Sequence, residues 1–276
     1  MRTFAICFLN MKKFLFTLFI IISLSSCSEY HKALKSEDTA VKFAKGTELY
    51  EAGKYSKANR LFEQIVPKYR GKPQAEKLMF MHSNAFYMQK EYYLSAYKFE
   101  QFEAAYPKSE KAEEALFLSA QSYYELSPVY SKEQKETNEA LEKLQLFINK
   151  YPESQYISQV NEMVKELDYK LEKKAFEIAK QYNRILDFEA SIKSFDNFLL
   201  EFPGTSFRED ALFYRFDSAY KLALNSTERR KELRVNNAQA FYNSFKKAYP
   251  SSSHTEAANA MNEELATMSQ QYTTKS

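Results

Sequence analysis

The chain has 276 residues, with 39 Lys and Arg against 36 Asp and Glu, for a formal net charge of +3. Only 4 Gly and 7 Pro accompany 23 Phe and 21 Tyr, and Trp is absent. Strands need tight turns built from Gly, Pro and Asn, so this composition argues against sandwiches, barrels and doubly wound sheets. No GxxxxGK or GxGxxG occurs, which removes the phosphate-cradling nucleotide folds. A hydrophobic content of 45% is too high for a disordered chain. The expected class is all-α, packed through aromatic side chains.

The N-terminal residues have the layout of a secretory signal. Met11-Lys12-Lys13 is basic, Phe14 to Leu24 is apolar, and Leu24-Ser25-Ser26-Cys27 is a run of small residues ending in Cys. The apolar run is short for a transmembrane helix, which needs ~20 residues; a span that leaves Cys27 a plain thiol is the alternative. The order resembles a bacterial lipobox, in which Cys27 becomes the lipidated first residue. Met11 reads as the true start. Residues 1–26 contain Arg2, Lys12 and Lys13 and no acid, so 36 basic and 36 acidic residues remain beyond them. The basic excess belongs to the leader, and a nucleic-acid partner is not expected. Cys7 leaves with the leader too, so Cys27 has no intramolecular disulfide partner.

The rest of the chain repeats itself. Tyr106-Pro107, Tyr151-Pro152, Phe202-Pro203 and Tyr249-Pro250 are four copies of aromatic-Pro, and Tyr69-Arg70 is a fifth without the proline. Eleven residues before each aromatic lies a small one: Ala58, Ser95, Ala140, Ser191, Ala238. Seven before lies a large one: Phe62, Phe99, Leu144, Phe195, Tyr242. Four before lies another: Ile65, Phe102, Phe147, Phe198, Phe245. These spacings share one helical face, and proline ends the helix.

A first helix precedes each of these. Phe43, Phe80, Phe117, Phe176 and Phe213 recur, each followed seven residues later by Tyr50, Tyr87, Tyr124, Asn183 and Tyr220. Small or apolar residues, beginning with Gly46 and Ser83, lie three after each Phe. The unit is helix–turn–helix, present five times. Ser206 with Glu209 and Ser253 with Glu256 have capping-box spacing.

Departures from the period mark the organisation. Ser127 to Gln134 is an insertion between the helices of repeat 3, and roughly 157–185 reads as one long helix. Asn225 to Arg234 is a polar insertion in repeat 5 containing Arg229, Arg230 and Arg234. It reads as a solvated basic loop or, if helical, as a docking edge. A final polar helix over 254–270 suits a solenoid cap. The expected layout is a signal at 1–26, a lipidated tether at 27–37, repeats 1–3 at 38–152, the long helix with repeats 4–5 and the cap at 153–270, and a tail at 271–276.

Catalytic chemistry is not expected. His31, His82 and His254 lie far apart in sequence, and no HExxH, CxxC or GxSxG is present. No metal or cofactor is implied beyond a diacylglycerol and N-acyl lipid on Cys27. The Phe/Tyr stripe admits two readings. It is inter-helix core, which favours the Phe positions, or it lines a groove for an extended peptide.

The pattern small-x3-Phe-x2-apolar-x4-Pro, with Gly46 and Gly53 in the preceding helix and turn, resembles the tetratricopeptide repeat over 38–250. Lys45, His82 and Arg215 occupy positions usually apolar in that repeat. The fold implied is a solenoid of five such repeats plus a C-terminal capping helix. With the lipobox, the stretches Leu49 to Ala58, Ala104 to Ser109, Tyr69 to Glu76 and Ser127 to Gln134 resemble the BamD (ComL/YfiO) family of β-barrel assembly lipoproteins. The resemblance implies a lipid-anchored scaffold on the periplasmic face of the outer membrane. It implies binding to the periplasmic domains of BamA through the C-terminal half, where Arg229, Arg230 and Arg234 fall. It also implies that repeats 1–3 read the C-terminal strand of unfolded outer-membrane barrel proteins, along Phe43, Tyr50, Phe80, Tyr87, Phe117 and Tyr124. Other expectations are a repeat-scaffold lipoprotein for division or peptidoglycan coordination, and a glycan-capture lipoprotein, which the absence of Trp disfavours.

Overall fold

The repeated small and large positions fold into paired helices. The structure, a computed structural model, describes residues 29–273; the signal, Met11 and Cys27 lie outside the described residues. No strand occurs among those described. After α1 (29–35), the helices are α2 (Thr39–Glu51), α3 (Tyr55–Tyr69), α4 (Ala75–Met88), α5 (Tyr92–Ala105), α6 (Ala112–Leu126), α7 (Lys135–Lys150), α8 (Ile157–Arg184), α9 (Phe188–Glu201), α10 (Arg208–Leu224), α11 (Glu228–Ala248) and α12 (Thr255–Thr273). This is the expected tetratricopeptide-like solenoid of five helix pairs with a capping helix. The cap runs on to Thr273, past 270.

The chain divides into two compact units: 29–127 with 135–163, and 128–134 with 164–273. The division falls inside the long helix α8 rather than at 152. In both units the second helices carry the core. Ala58, Ser95, Ala140, Ser191 and Ala238 are fully buried, as are Phe62, Phe99, Phe147, Phe195 and Phe245. Removing one such ring from water contributes ~1.5–3 kcal/mol. Close approach explains the small residues opposite them. A Cβ on Gly46 would sit 2.5 Å from Phe62 Cε1. Where the small residue is Ser, its hydroxyl bonds the next repeat's first helix: Ser95 with Ser122 at 3.0 Å, Ser191 with Ser218 at 2.9 Å.

Turn chemistry is equally regular. Gly53, Lys90 and Leu186 stand at equivalent places after a first helix, with φ of 70°, 61° and 66°. Their left-handed backbone lets the next N–H reach back to Leu49, Phe86 and Tyr182, closing the helix end. Only the first of the three is glycine.

The capping-box expectation fails. Helices α10 and α12 start at Arg208 and Thr255, so neither Ser206 nor Ser253 is a side-chain cap. The cap-like residue sits one place earlier, three after the aromatic of aromatic-Pro. Ser109, Ser154, Thr205 and Ser252 each accept from the N–H two residues on, at 3.0–3.1 Å. Three of these hydroxyls also donate to an acid on the preceding repeat's first helix: Glu76 (2.5 Å), Glu113 (2.6 Å) and Glu172 (2.8 Å). A local turn bond that also braces a neighbouring helix outcompetes a box that would satisfy only one helix end.

Two further expectations change. The tether at 27–37 is helical over 29–35, because Tyr30, Ala33 and Leu34 make an i, i+3, i+4 stripe that packs on the repeat 1 core. The insertion in repeat 5 is not a loop. Helix α11 begins at Glu228, so Arg229, Arg230 and Arg234 lie in its first turns.

The three polar intruders in the first helices each find at least one partner. Lys45 pairs with Glu48 (2.7 Å) and Glu29 (3.0 Å). Arg215 pairs with Asp196 (2.7 Å) and lies 4.4 Å from the Phe241 ring centre. His82 is buried, with Nδ1 2.9 Å from Asn59 Oδ1.

Candidate functional site

The first helices of repeats 1–3 place the aromatic stripe, and packing divides it by residue type. Phe43 stacks on Tyr69 at 5.4 Å. Phe80 meets Phe99 and Phe102 edge-on at 5.6 and 5.5 Å. Phe117 is buried, stacked on Tyr156 at 4.1 Å and edge-on to Phe147. These rings are engaged with the second helix of their own repeat or with the turn that follows it.

The tyrosines are half-buried. Tyr50 lies edge-on to Tyr55, and its hydroxyl accepts from Asn84 of the next repeat. Burial pushes the Tyr50 pKa up, while the Asn84 bond lowers it. Tyr87 lies edge-on to Tyr92, and burial, aided by the Glu125 charge, pushes its pKa up to about 12. These hydroxyls therefore stay neutral and serve as hydrogen-bonding groups. Tyr124, on α6, is half-buried as well.

Part of the stripe converges on one cleft. Tyr50 and Phe80 line one cleft of about 440 Å³, together with Glu51, Glu76, Lys77 and Lys111. Phe43, Tyr87, Phe117 and Tyr124 do not line it. Lys111 is the residue the sequence reading missed. Its ammonium lies 5.3 Å from the Phe80 ring centre and 2.6 Å from Glu114. The Glu114 bond raises its pKa, so it is a fixed cation at the mouth of an aromatic cleft. Its place two residues after Ser109 in the turn leading into α6 is the one sequence signal that pointed to it.

In the second unit, Asn183 replaces the tyrosine for a structural reason. Its Nδ2 donates to Asp217 Oδ2 and Ser218 Oγ, both at 2.8 Å, and Lys221 closes the network on Asp217 at 2.6 Å. The site is a polar clamp from α8 to α10, not an aromatic face. The expected basic edge also narrows. Arg234 donates to Ser226 Oγ at 2.8 Å and pairs with Glu189, so it is held within the fold. Arg230 shares its side of the helix, one turn back; Arg229 points elsewhere. Arg229 and Arg230 remain exposed.

Among the described residues, no group of three His, Cys, Asp or Glu is placed to hold a metal. No helix among them is long and apolar enough to cross a membrane.

A family model described as YfiO, outer membrane lipoprotein, matches residues 35–234, from the end of α1 into α11. The chain belongs to the YfiO family of outer membrane lipoproteins. No curated protein matches it. The YfiO match takes in repeats 1–4, the first helix of repeat 5 and both insertions, so the cleft at Tyr50 and Phe80 lies wholly within it.

Proposed function

We propose that this YfiO-family protein is a non-enzymatic scaffold subunit of the β-barrel assembly machinery, anchored by lipid on Cys27 to the periplasmic face of the outer membrane. It binds the periplasmic domains of BamA through its C-terminal repeats. It receives unfolded barrel proteins on the first helices of repeats 1–3. The observation that carries the peptide reading is the cleft where Tyr50 and Phe80 stand beside Lys111. An aromatic wall with a fixed cation suits an extended segment that alternates aromatic and polar side chains, since each ring pair adds ~0.5–1.5 kcal/mol beyond area burial.

Two measurements test the reading. A photo-crosslinking residue at Lys77, exposed on the rim of the cleft, should capture a peptide from the C-terminal strand of a barrel protein. The same residue at Leu200, exposed on α9, should not. Equal capture at both positions would remove the cleft from the account. For the anchor, a Cys27→Ala protein should leave the membrane fraction after a carbonate wash, because stable attachment needs two or more acyl chains. Retention of that variant would place the anchor elsewhere.

A further inference from the structure

A second cleft lies on the other face of α4. It is about 650 Å³ and is bounded by the end of α3, by α4 and by α5. The volume suits a few side chains of a bound ligand. None of its wall belongs to the aromatic stripe. Val66, Met79 and Tyr106 supply an apolar floor, and Arg70 and Lys98 bring two cations to it. Neither cation forms an ion pair among the described residues. What sets them apart is their placement: both flank one apolar floor, and no acid among the described residues already takes up either charge.

The polar groups between them narrow the ligand further. His82 lines the cleft and is only 4% exposed. Its Nδ1 faces Asn59 Oδ1, which can only accept, so Nδ1 carries the proton and Nε2 is an acceptor. No hydrogen bond engages Nε2 among the described residues, which leaves it for the cleft. Glu63 is a second acceptor on the wall. A phosphate or lipid headgroup brings oxygen acceptors and would meet two more. A peptide brings a carboxylate for Arg70 and Lys98, backbone N–H groups for His82 and Glu63, and apolar side chains for the floor.

We propose that the cleft between α3, α4 and α5 is a binding site for an extended acidic peptide, whose carboxylate side chain is held by Arg70 and Lys98 and whose backbone N–H is accepted by His82. This site is independent of the peptide cleft at Tyr50 and needs no membrane anchor.

The test uses fluorescence anisotropy on the protein with a labelled peptide of alternating leucine and glutamate, blocked at both ends so that only side chains carry charge. Binding should weaken with salt and should fall roughly tenfold or more when each glutamate is replaced by glutamine. An Arg70→Gln/Lys98→Gln protein should lose binding to a similar degree. Both side chains lie on the cleft rim without ion pairs, so its thermal midpoint should match the wild type. His82 ring signals followed by NMR should move on adding the peptide. Equal affinity for the glutamine peptide, or wild-type affinity in the double variant, would overturn the proposal. So would unmoved His82 signals at saturation. A glycerophosphate headgroup that displaces the peptide at equal concentration would also overturn it, in favour of a lipid site.

Discussion

Acidification should loosen the first unit through a single side chain. His82 is enclosed by Phe62 and Phe86, and burial, with a smaller push from the Lys98 charge, lowers its pKa from 6.5 to about 4. The folded protein therefore resists protonation that the unfolded chain accepts. Between those two values the unfolded state binds more protons, so stability falls as pH falls. The contribution is complete above about pH 6.5 and is lost progressively towards about pH 4, where the folded state also takes up the proton. One pKa unit is about 1.4 kcal/mol, so the whole window is worth ~3 kcal/mol, and about 2 kcal/mol of it is gone by about pH 5. For a chain of this size that is a fall of ~4–8 °C in thermal midpoint. The reference is an Asn59→Leu/His82→Met protein, which removes both partners and leaves neither polar group buried alone. His31 and His254 are present in both proteins, so the comparison isolates position 82. Midpoints by circular dichroism from about pH 7.5 to about pH 5 should fall more steeply for the wild type. Parallel curves would refute the assignment of a neutral, enclosed imidazole at position 82.

Four other outcomes follow from the packing and the exposed basic residues. Gly46→Ala should lower the midpoint, because Phe62 at 2.5 Å must move to admit the methyl group, an overpacking cost of ~1–3 kcal/mol. Ala58→Phe and Ala140→Phe should each cost at least as much, since both positions are fully buried; unchanged midpoints for both would show the repeat register to be wrong. Leu186→Gly should raise stability by up to ~1 kcal/mol in chemical denaturation, since a left-handed backbone strains a leucine and its side chain is 71% exposed. Charge reversal at Arg229 and Arg230 should weaken association with the BamA periplasmic domains and flatten its salt dependence, measured by calorimetry; binding indifferent to both would move the docking surface away from α11.

Much of the candidate site could not be read without the fold. Phe80 and Tyr50 are equivalent members of one stripe in sequence, as are Phe117 and Tyr87. In the fold, Tyr50 and Phe80 line one cleft together, because the turn before α4 and Lys111 before α6 frame open space there. His82 looked like a stray polar residue until Asn59, 23 residues away, supplied its partner. Arg234 looked like part of a basic edge until Glu189, on α9 of the preceding repeat, met it. Each of these depends on a contact distant in sequence, and a pattern read along one helix carries no record of what faces it.

The properties determined by the sequence alone are the local ones. Helix, the buried face of each second helix and the stop at each aromatic-Pro follow from periodicity and from proline's missing N–H, which act within a few residues. Ala58, Phe62 and Ile65 were legible as core for that reason. The tertiary structure decided the rest. It turned 29–35 from tether to packed helix, replaced two capping boxes by the Ser109-type turn, made Asn183 a clamp and drew the unit boundary inside α8. In each case several local conformations or partners lay within a few kcal/mol of one another. The choice fell to whichever one a neighbouring repeat could also bury or bond.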